Sequence, residues 1–518
     1  MSIGSRHDRA GRRWRQVAGP GGRPPAALAR VMTGGAAVEG LGGELRFNMS
    51  VVVLGAGPAG LAATYVLARG GGAPVLLEKA PGVGGISRTV TYRGFHFDLG
   101  GHRFFTKFDE VQALWEEVLG DAFLVRPRLS RIFYDGKFYD YPLRATNALR
   151  NLGPVESARC MASYARARLR TRGGEESFEE WVSNRFGDRL FDIFFRSYTE
   201  KVWGIPVSEI GAEWASQRIK NLSLAGAVKD ALLRPIGRRG PVVTSLIEQF
   251  HYPRTGPGLM YDTMSAKASA LGADVRLREE AVRIERRGFR IQRVISRTPD
   301  GTEHVHAGDH FLSSIPVTHL IRGLSPQAPD EVLEAANALR FRNLLTIDLI
   351  VDHPDLFPDN WIYVHDSRLQ LGRVQNFKNW SPHMVPDATK TSLGLEYFCF
   401  DEDHIWKMSV PELVALGTRE MEATGLLRGA RVVDGTAVWV PRAYPVYARG
   451  YERHLEVIVA YLRQFENLQT VGRYGMFKYN NADHSILTAL LAVENIQGAK
   501  HDIWAVNTDT EYHEVRRG

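Results

Sequence analysis

An α/β fold, with a doubly wound nucleotide-binding sheet interrupted by helical and antiparallel β insertions, is what the sequence predicts. Three observations carry that expectation. The apolar run Met49-Ser50-Val51-Val52-Val53-Leu54 passes directly into Gly55-Ala56-Gly57-Pro58-Ala59-Gly60. A helical stretch from Leu61 to Arg69 follows, and Pro74-Val75-Leu76-Leu77-Glu78 reads as a second parallel strand. Near the other end, Thr470-Val471-Gly472-Arg473 again leads toward a helix, expected over Ser485 to Ile496. A short continuous apolar run fits a strand covered on both faces, as in a parallel sheet. Strand, glycine turn, helix and strand make one β-α-β unit, and the later strand–helix pair returns the chain to the same sheet.

The elements are assigned in chain order. Residues 1–48 hold eight Arg against three acidic residues, so most of the formal +7 charge of the 518-residue chain sits there. That head lacks hydrophobic periodicity and reads as a disordered leader, or an extension upstream of a second start at Met49; an organellar transit segment is the alternative. The near-neutral remainder gives no basis for nucleic-acid binding. Residues 49–144 form the first piece of the nucleotide-binding domain, and 145–240 a mainly helical cap over the substrate. Short strands at Val275-Arg276-Leu277, Ala281-Val282-Arg283-Ile284 and Phe311-Leu312-Ser313-Ser314 assign 241–320 to a second nucleotide-binding piece. The β patterns at Leu345 to Val351 and over 360–400 assign 321–455 to an antiparallel substrate domain. Residues 456–518 supply a third piece and a C-terminal tail. Two cysteines, Cys160 and Cys399, without metal-type spacing support neither a disulfide framework nor a metal site, and a cytoplasmic location is expected. No uncharged apolar run is long enough to span a membrane.

Each glycine in Gly55-x-Gly57-x-x-Gly60 has a separate task. Gly55 permits the tight turn, Gly57 lets backbone N–H groups approach a pyrophosphate at a helix N-terminus, and Gly60 allows helix and strand to pack closely. Glu78, ending the next strand, is placed to accept hydrogen bonds from a ribose. A second glycine loop follows, Gly84-Gly85-Ile86-Ser87-Arg88-Thr89. It resembles the flavin-binding loop of the flavoproteins that include amine oxidases, phytoene desaturases and UDP-galactopyranose mutases. The resemblance implies FAD and a Rossmann-type FAD-binding domain of the glutathione-reductase kind.

Three later stretches narrow the likeness: Leu99-Gly100-Gly101-His102-Arg103-Phe104-Phe105-Thr106, Ser197-Tyr198-Thr199-Glu200-Lys201-Val202-Trp203-Gly204, and Arg373-Val374-Gln375-Asn376-Phe377-Lys378-Asn379-Trp380. With Tyr444-Pro445 and the run from Gly472 through Tyr479, Asn481, Asp483 and His484 to Ser485, they resemble the UDP-galactopyranose mutases over about residues 50–497. The resemblance implies that Arg218 and Arg373 hold a diphosphate, with hydroxyls from Tyr444 and Tyr479. It places Tyr198 and Trp203 at the uracil and sugar, and His102, Arg473 and Asn481 beside flavin and sugar. His102, Arg218 and Arg373 are the implied catalytic set. Cofactor contacts fall to Gly55, Gly57, Pro58, Ala59 and Gly60, then to Glu78, Lys79, Gly85, Ser87 and Arg88. Further ones fall to Gly101, His102, Val282, Gly472, Arg473, Asp483, His484 and Ser485. Either Asp483 or Asn481 is placed to cap the last helix.

The implied reaction interconverts UDP-galactopyranose and UDP-galactofuranose through a sugar adduct on N5 of reduced FAD, with no metal. It needs a nucleotide-diphosphate sugar and a flavin reductant, either NAD(P)H or a reductase. Cell-wall or polysaccharide biosynthesis and a homo-oligomer are expected with it. Two arginine forks and two tyrosine hydroxyls suit a diphosphate on chemical grounds alone. The alternative is an FAD-dependent oxidoreductase of the amine oxidase or protoporphyrinogen oxidase type. Where bacterial mutases carry a second His, this chain has Phe105, which makes that edge more apolar.

Overall fold

Side chains of the strand Val51–Leu54 alternate between two apolar cores, and that alternation organises the nucleotide-binding sheet. Val51 and Val53 enter a core with Leu61, Met264 and Ile486, while Val52 and Leu54 enter another with Phe311, Leu320 and Ile458. The structure, a computed structural model, describes residues 49–141, 143, 145–169, 175–212 and 248–508. The head 1–48, Arg218 and the cap residues after 212 therefore lie outside the described residues, as do residues 509–518 of the tail.

Five parallel strands form the sheet, in the order Leu468–Thr470, His310–Ser313, Val51–Leu54, Val75–Glu78 and Asp274–Leu277. Strands far apart in sequence thus lie side by side, as the α/β expectation requires. The helix Pro58–Arg69 packs against the helices Gly258–Ala270 and Ala482–Ile496 on one face of the sheet. This last helix begins three residues earlier than the sequence suggests. Asn481 occupies the N-cap position but makes no side-chain capping bond, and Asp483 sits inside the first turn.

The second large sheet has seven strands, in the order Val432–Pro445, Phe341–Val351, Thr391–Cys399, Arg373–Asn376, Trp361–Val364, Ser130–Tyr134 and Lys137–Asp140. Its pairings are antiparallel except that Trp361–Val364 runs parallel to Ser130–Tyr134. Residues 130–140, read from the sequence with the first nucleotide-binding piece, pair with this sheet instead. Local periodicity identifies a strand, but its partner is set by surfaces elsewhere in the chain. All nine residues of Thr391–Cys399 are buried, so carboxylates and amides on this strand and its neighbours sit in the interior.

Helices from the expected cap region pack on one another and on strands of the seven-stranded sheet. Ala145–Leu169 is kinked at Gly153-Pro154, where Gly153 takes φ 79°. Phe178–Phe186 opens with a reciprocal capping box: the Ser177 hydroxyl accepts from the Glu180 N–H, and the Glu180 carboxylate accepts from the Ser177 N–H. Ser197–Trp203 ends at Gly204, which has φ 66°. Lys201 on this helix donates to the carbonyls of Val364, Asp366 and Leu371 at 3.0, 3.0 and 2.9 Å. The helix is thereby pinned to the hairpin that carries Arg373. Cys160 and Cys399 are both buried, and burial pushes their thiols up to about 11 and about 12. No helix among the described residues is long and apolar enough to cross a membrane, and none of their acidic, His or Cys groups forms a metal-type cluster.

Candidate functional site

The first glycine loop has three distinct geometries. Gly55 has φ +94°, a value that glycine alone adopts readily. A Cβ on Gly60 would lie 1.8 Å from the Gly55 carbonyl oxygen, so only hydrogen fits between helix and turn. A Cβ on Gly57 would meet nothing within 4 Å. The first two glycines build the turn, and the third leaves space open at the start of the helix. The second loop folds back on it: the Gly84 N–H donates to the Ala56 carbonyl at 2.8 Å, and Gly85 packs against Gly57. Arg88, following that loop, buries its Nε without a hydrogen-bond partner. Open space at a helix N-terminus is a fitting environment for a diphosphate, whose oxygens would accept from the backbone N–H groups there.

Glu78 accepts from the backbone N–H groups of Ala56 and Ala80, both at 2.8 Å, which fixes the carboxylate beside the turn. Lys79 is exposed, whereas Ala59 and Ser87 are buried. Val282 falls where the pairing of Glu280–Arg287 with Arg290–Arg297 skips a residue, between Ala281↔Ser296 and Arg283↔Ile295. A bulge of this kind leaves backbone groups outside the ladder, available to a ligand edge. Gly472, with φ +80°, brings its chain segment to within contact distance of Ala59. Its N–H donates to Thr488 at 2.9 Å. Asp483, His484 and Ser485 are buried in the first turn of the following helix.

A cleft opens beside these loops. Pro58, Ser87, Gly101, His102, Asn481 and Ala482 line one end of the set, together with Arg373, Arg473, Tyr444 and Tyr479. Arg373 forms an ion pair with the buried Glu396, and its Nη2 donates to the Tyr444 hydroxyl at 2.9 Å. Arg473 lies over the rings of Tyr479 and Tyr444, at 4.1 and 5.2 Å from their centroids. Its Nε and Nη2 are buried without hydrogen-bond partners, and it makes no ion pair among the described residues. Tyr479 supplies a side-chain hydrogen bond to the guanidinium, and the two unpartnered nitrogens are donors that an anion could satisfy. Burial pushes the Tyr444 hydroxyl up to about 12, so it keeps a proton to donate.

His102 donates from Nδ1 to the Gly100 carbonyl at 3.1 Å, which leaves Nε2 as an acceptor in the neutral ring. Burial holds the imidazole down to about 4; the Gly100 bond opposes this, and Arg473 and Arg373 add to the depression. His102 is consequently an uncharged group between two arginines.

Of the described residues expected at the substrate, His102, Arg373, Tyr444, Tyr479 and Asn481 line this cleft, and Tyr198 and Trp203 do not; of the others expected at the cofactor, Pro58, Ser87, Gly101 and Arg473 line it. Tyr198 stacks on His365 at 4.6 Å, and Trp203 stacks on Tyr447 at 6.0 Å while touching the Tyr479 ring from behind. Both support the wall instead of forming it. The structure also adds residues that were not singled out: Arg103, Arg128, Phe104, Phe250 and Leu344 line the cleft. Arg103 stood inside the Gly-Gly-His motif. Arg128 follows the strand Phe123–Pro127 and Phe250 lies in the strand Gln249–Pro253, and no spacing in the sequence signals either. Four arginines line the cleft, and no Asp or Glu does so among the described residues.

The family described as flavin containing amine oxidoreductase matches residues 58–472. A Klebsiella pneumoniae protein named "Probable UDP-galactopyranose mutase" is 25% identical over 177 residues, which cover 32% of this chain and 44% of that protein. The chain therefore spans less than half the length of that curated relative. The crystal structure of a reduced UDP-galactopyranose mutase superposes with TM-score 0.75 at 23% identity, covering 89% of this chain and 97% of that one. Putrescine oxidase bound to putrescine superposes with TM-score 0.57 at 15% identity, covering 87% and 99%.

Proposed function

The chain belongs to the flavin-containing amine oxidoreductase family, and from that premise we propose that it is an FAD-dependent nucleotide-sugar mutase. The substrates proposed are UDP-galactopyranose and UDP-galactofuranose, or a related pair. One observation carries this reading: among the described residues, four arginines and no carboxylate line the cleft. A nucleotide-diphosphate sugar brings about two negative charges, which charge-assisted bonds from arginine forks neutralise well. An amine cation would find no carboxylate among the described lining residues to pair with.

FAD would rest on the Gly55–Gly60 turn, Arg88 and Glu78, and in its reduced form it would supply the nucleophile. The chain's own residues do the rest. Arg373 and Arg473 hold the diphosphate and stabilise its charge as a leaving group. Tyr444 and Tyr479 donate hydroxyl protons to the same oxygens. His102, neutral and with Nε2 accepting, orients a sugar hydroxyl. The aromatic and aliphatic wall of Phe104, Phe250 and Leu344 excludes water. NAD(P)H or a separate reductase would supply electrons, and the product would enter polysaccharide or cell-wall assembly in the cytoplasm.

That same apolar wall favours one second reading, oxidation of an apolar, acid-bearing substrate. A single assay separates the two. The flavin-loaded protein, reduced anaerobically with dithionite, is given UDP-galactofuranose, and UDP-galactopyranose is followed chromatographically. Conversion in the reduced state alone is the expected result. Failure to convert and to bind UDP would overturn the mutase reading.

The depressed His102 sets a pH expectation. Its folded value of about 4 lies below the ordinary 6.5, so the unfolded chain binds the proton first. The stabilising contribution is complete above 6.5 and is lost as pH falls toward 4. Affinity for UDP-galactose, whose diphosphate diester does not titrate in this range, should show no His102 step between pH about 5 and about 8. Calorimetric titration across that range checks it; a step near neutrality that disappears in His102→Gln would contradict the assignment.

A further inference from the structure

We propose that Gln375 is a positioning residue that couples the Arg373 anion site to the Gly100–His102 loop. This rests on reading Arg373 as an anion receptor. Gln375 and Arg373 occupy the same face of the strand Arg373–Asn376, two residues apart. The Gln375 Nε2 donates to Glu396 Oε1 at 2.6 Å, and Glu396 in turn forms the ion pair with Arg373. Both Gln375 and Glu396 are buried. On its other side the same amide supports the loop: a Cβ on Gly101 would lie 2.9 Å from Gln375 Nε2 and 3.2 Å from its Oε1. Gly100 lies against Glu396, where a Cβ would be 3.5 Å from Oε2.

The two glycines are therefore required for different reasons. Gly100 has φ +93°, a backbone demand. Gly101 has no such demand, and the nearest atoms that a side chain there would meet are those of the Gln375 amide. The Gln375 Oε1 is buried without a hydrogen-bond donor, so the amide is held chiefly by its one bond to Glu396. A displacement of Gly101 must move the amide, the amide moves Glu396, and Glu396 carries Arg373 with it. When an anion draws Arg373 forward, the same chain of contacts runs in reverse and resets the loop that bears His102. By linkage, the coupling is equal in both directions.

A double-mutant cycle on the flavin-loaded protein tests this, with inorganic pyrophosphate as the probe and its affinity read by calorimetry. Gly101→Ala, whose added methyl group would meet the Gln375 amide before any other group, should weaken pyrophosphate binding about tenfold, within the range of coupling seen between contacting residues. In a Gln375→Ala background, where the methyl group has room, the same substitution should change affinity less than about twofold. Equal effects in both backgrounds would overturn the coupling, as would a wild-type protein that fails to bind pyrophosphate. Deuterium exchange supplies a second readout should Gly101→Ala lose flavin. Pyrophosphate should change exchange in residues 98–103 of the wild type and leave it unchanged in Gln375→Ala. A retained response in that variant would also refute the proposal. Intact coupling without turnover of UDP-galactofuranose would defeat the mutase reading only.

Discussion

Gly57→Val should yield a folded protein that no longer retains flavin. The fold is expected to survive because a Cβ at this position meets no protein atom within 4 Å, and Gly57 has φ −75°, which any residue adopts. The cofactor is expected to be lost because the branched side chain would fill the space over the helix N-terminus, where backbone N–H groups and Arg88 would receive the pyrophosphate. Gly60→Val is the contrasting case. Its Cβ would sit 1.8 Å from the Gly55 carbonyl, inside the packing of helix on strand, and the sheet itself should fail. Visible absorbance of the purified protein and its thermal unfolding separate the two outcomes. A yellow, fully loaded Gly57→Val variant would remove the dinucleotide assignment from this loop. A colourless variant with lowered Tm would show instead that the glycine serves the fold.

These glycines illustrate what the sequence makes legible. The Gly55–Gly60 turn is local, and each residue's task follows from a strand before it and a helix after it. The same holds for Gly472 and the helix Ala482–Ile496, whose start differs from expectation by three residues. Asn481, one of the two cap candidates, takes the N-cap position but makes no side-chain capping bond, whereas the apolar pattern set the start three residues late. The clustering of Arg373, Tyr444, Arg473 and Tyr479 was legible only through resemblance, because strands and loops far apart in sequence bring them together. Gln375 was within reach of a local argument: strand alternation places residues 373 and 375 on one face. Its partner Glu396 was not, since pairing of Arg373–Asn376 with Thr391–Cys399 is a tertiary outcome. Arg128 and Phe250 illustrate the same limit, as side chains whose position is fixed by which surfaces close against each other.

Arg373→Ala should weaken UDP-galactose binding by about 2–5 kcal/mol, the range for truncating one partner of a buried charge contact. It should also lower stability, because Glu396 is fully buried and would lose its counter-ion. Breaking a buried pair from one side costs about 3–5 kcal/mol, comparable to the binding effect itself. The two losses must be separated before either is assigned. Arg373→Met combined with Glu396→Gln removes both charges and leaves the Gln375 amide a neutral acceptor in place of the carboxylate. That double variant should recover most of the unfolding free energy, since replacing a buried pair by neutral groups of similar volume is often nearly neutral. It should not recover affinity, because the fork that would meet the diphosphate is gone. Chemical denaturation measures the first quantity, and calorimetric titration with UDP-galactose measures the second. Recovery of stability without affinity would establish that Arg373 binds the substrate as well as balancing Glu396. Recovery of both would mean that the diphosphate is held by Arg473 and the tyrosines, with Arg373 acting only as a structural counter-ion.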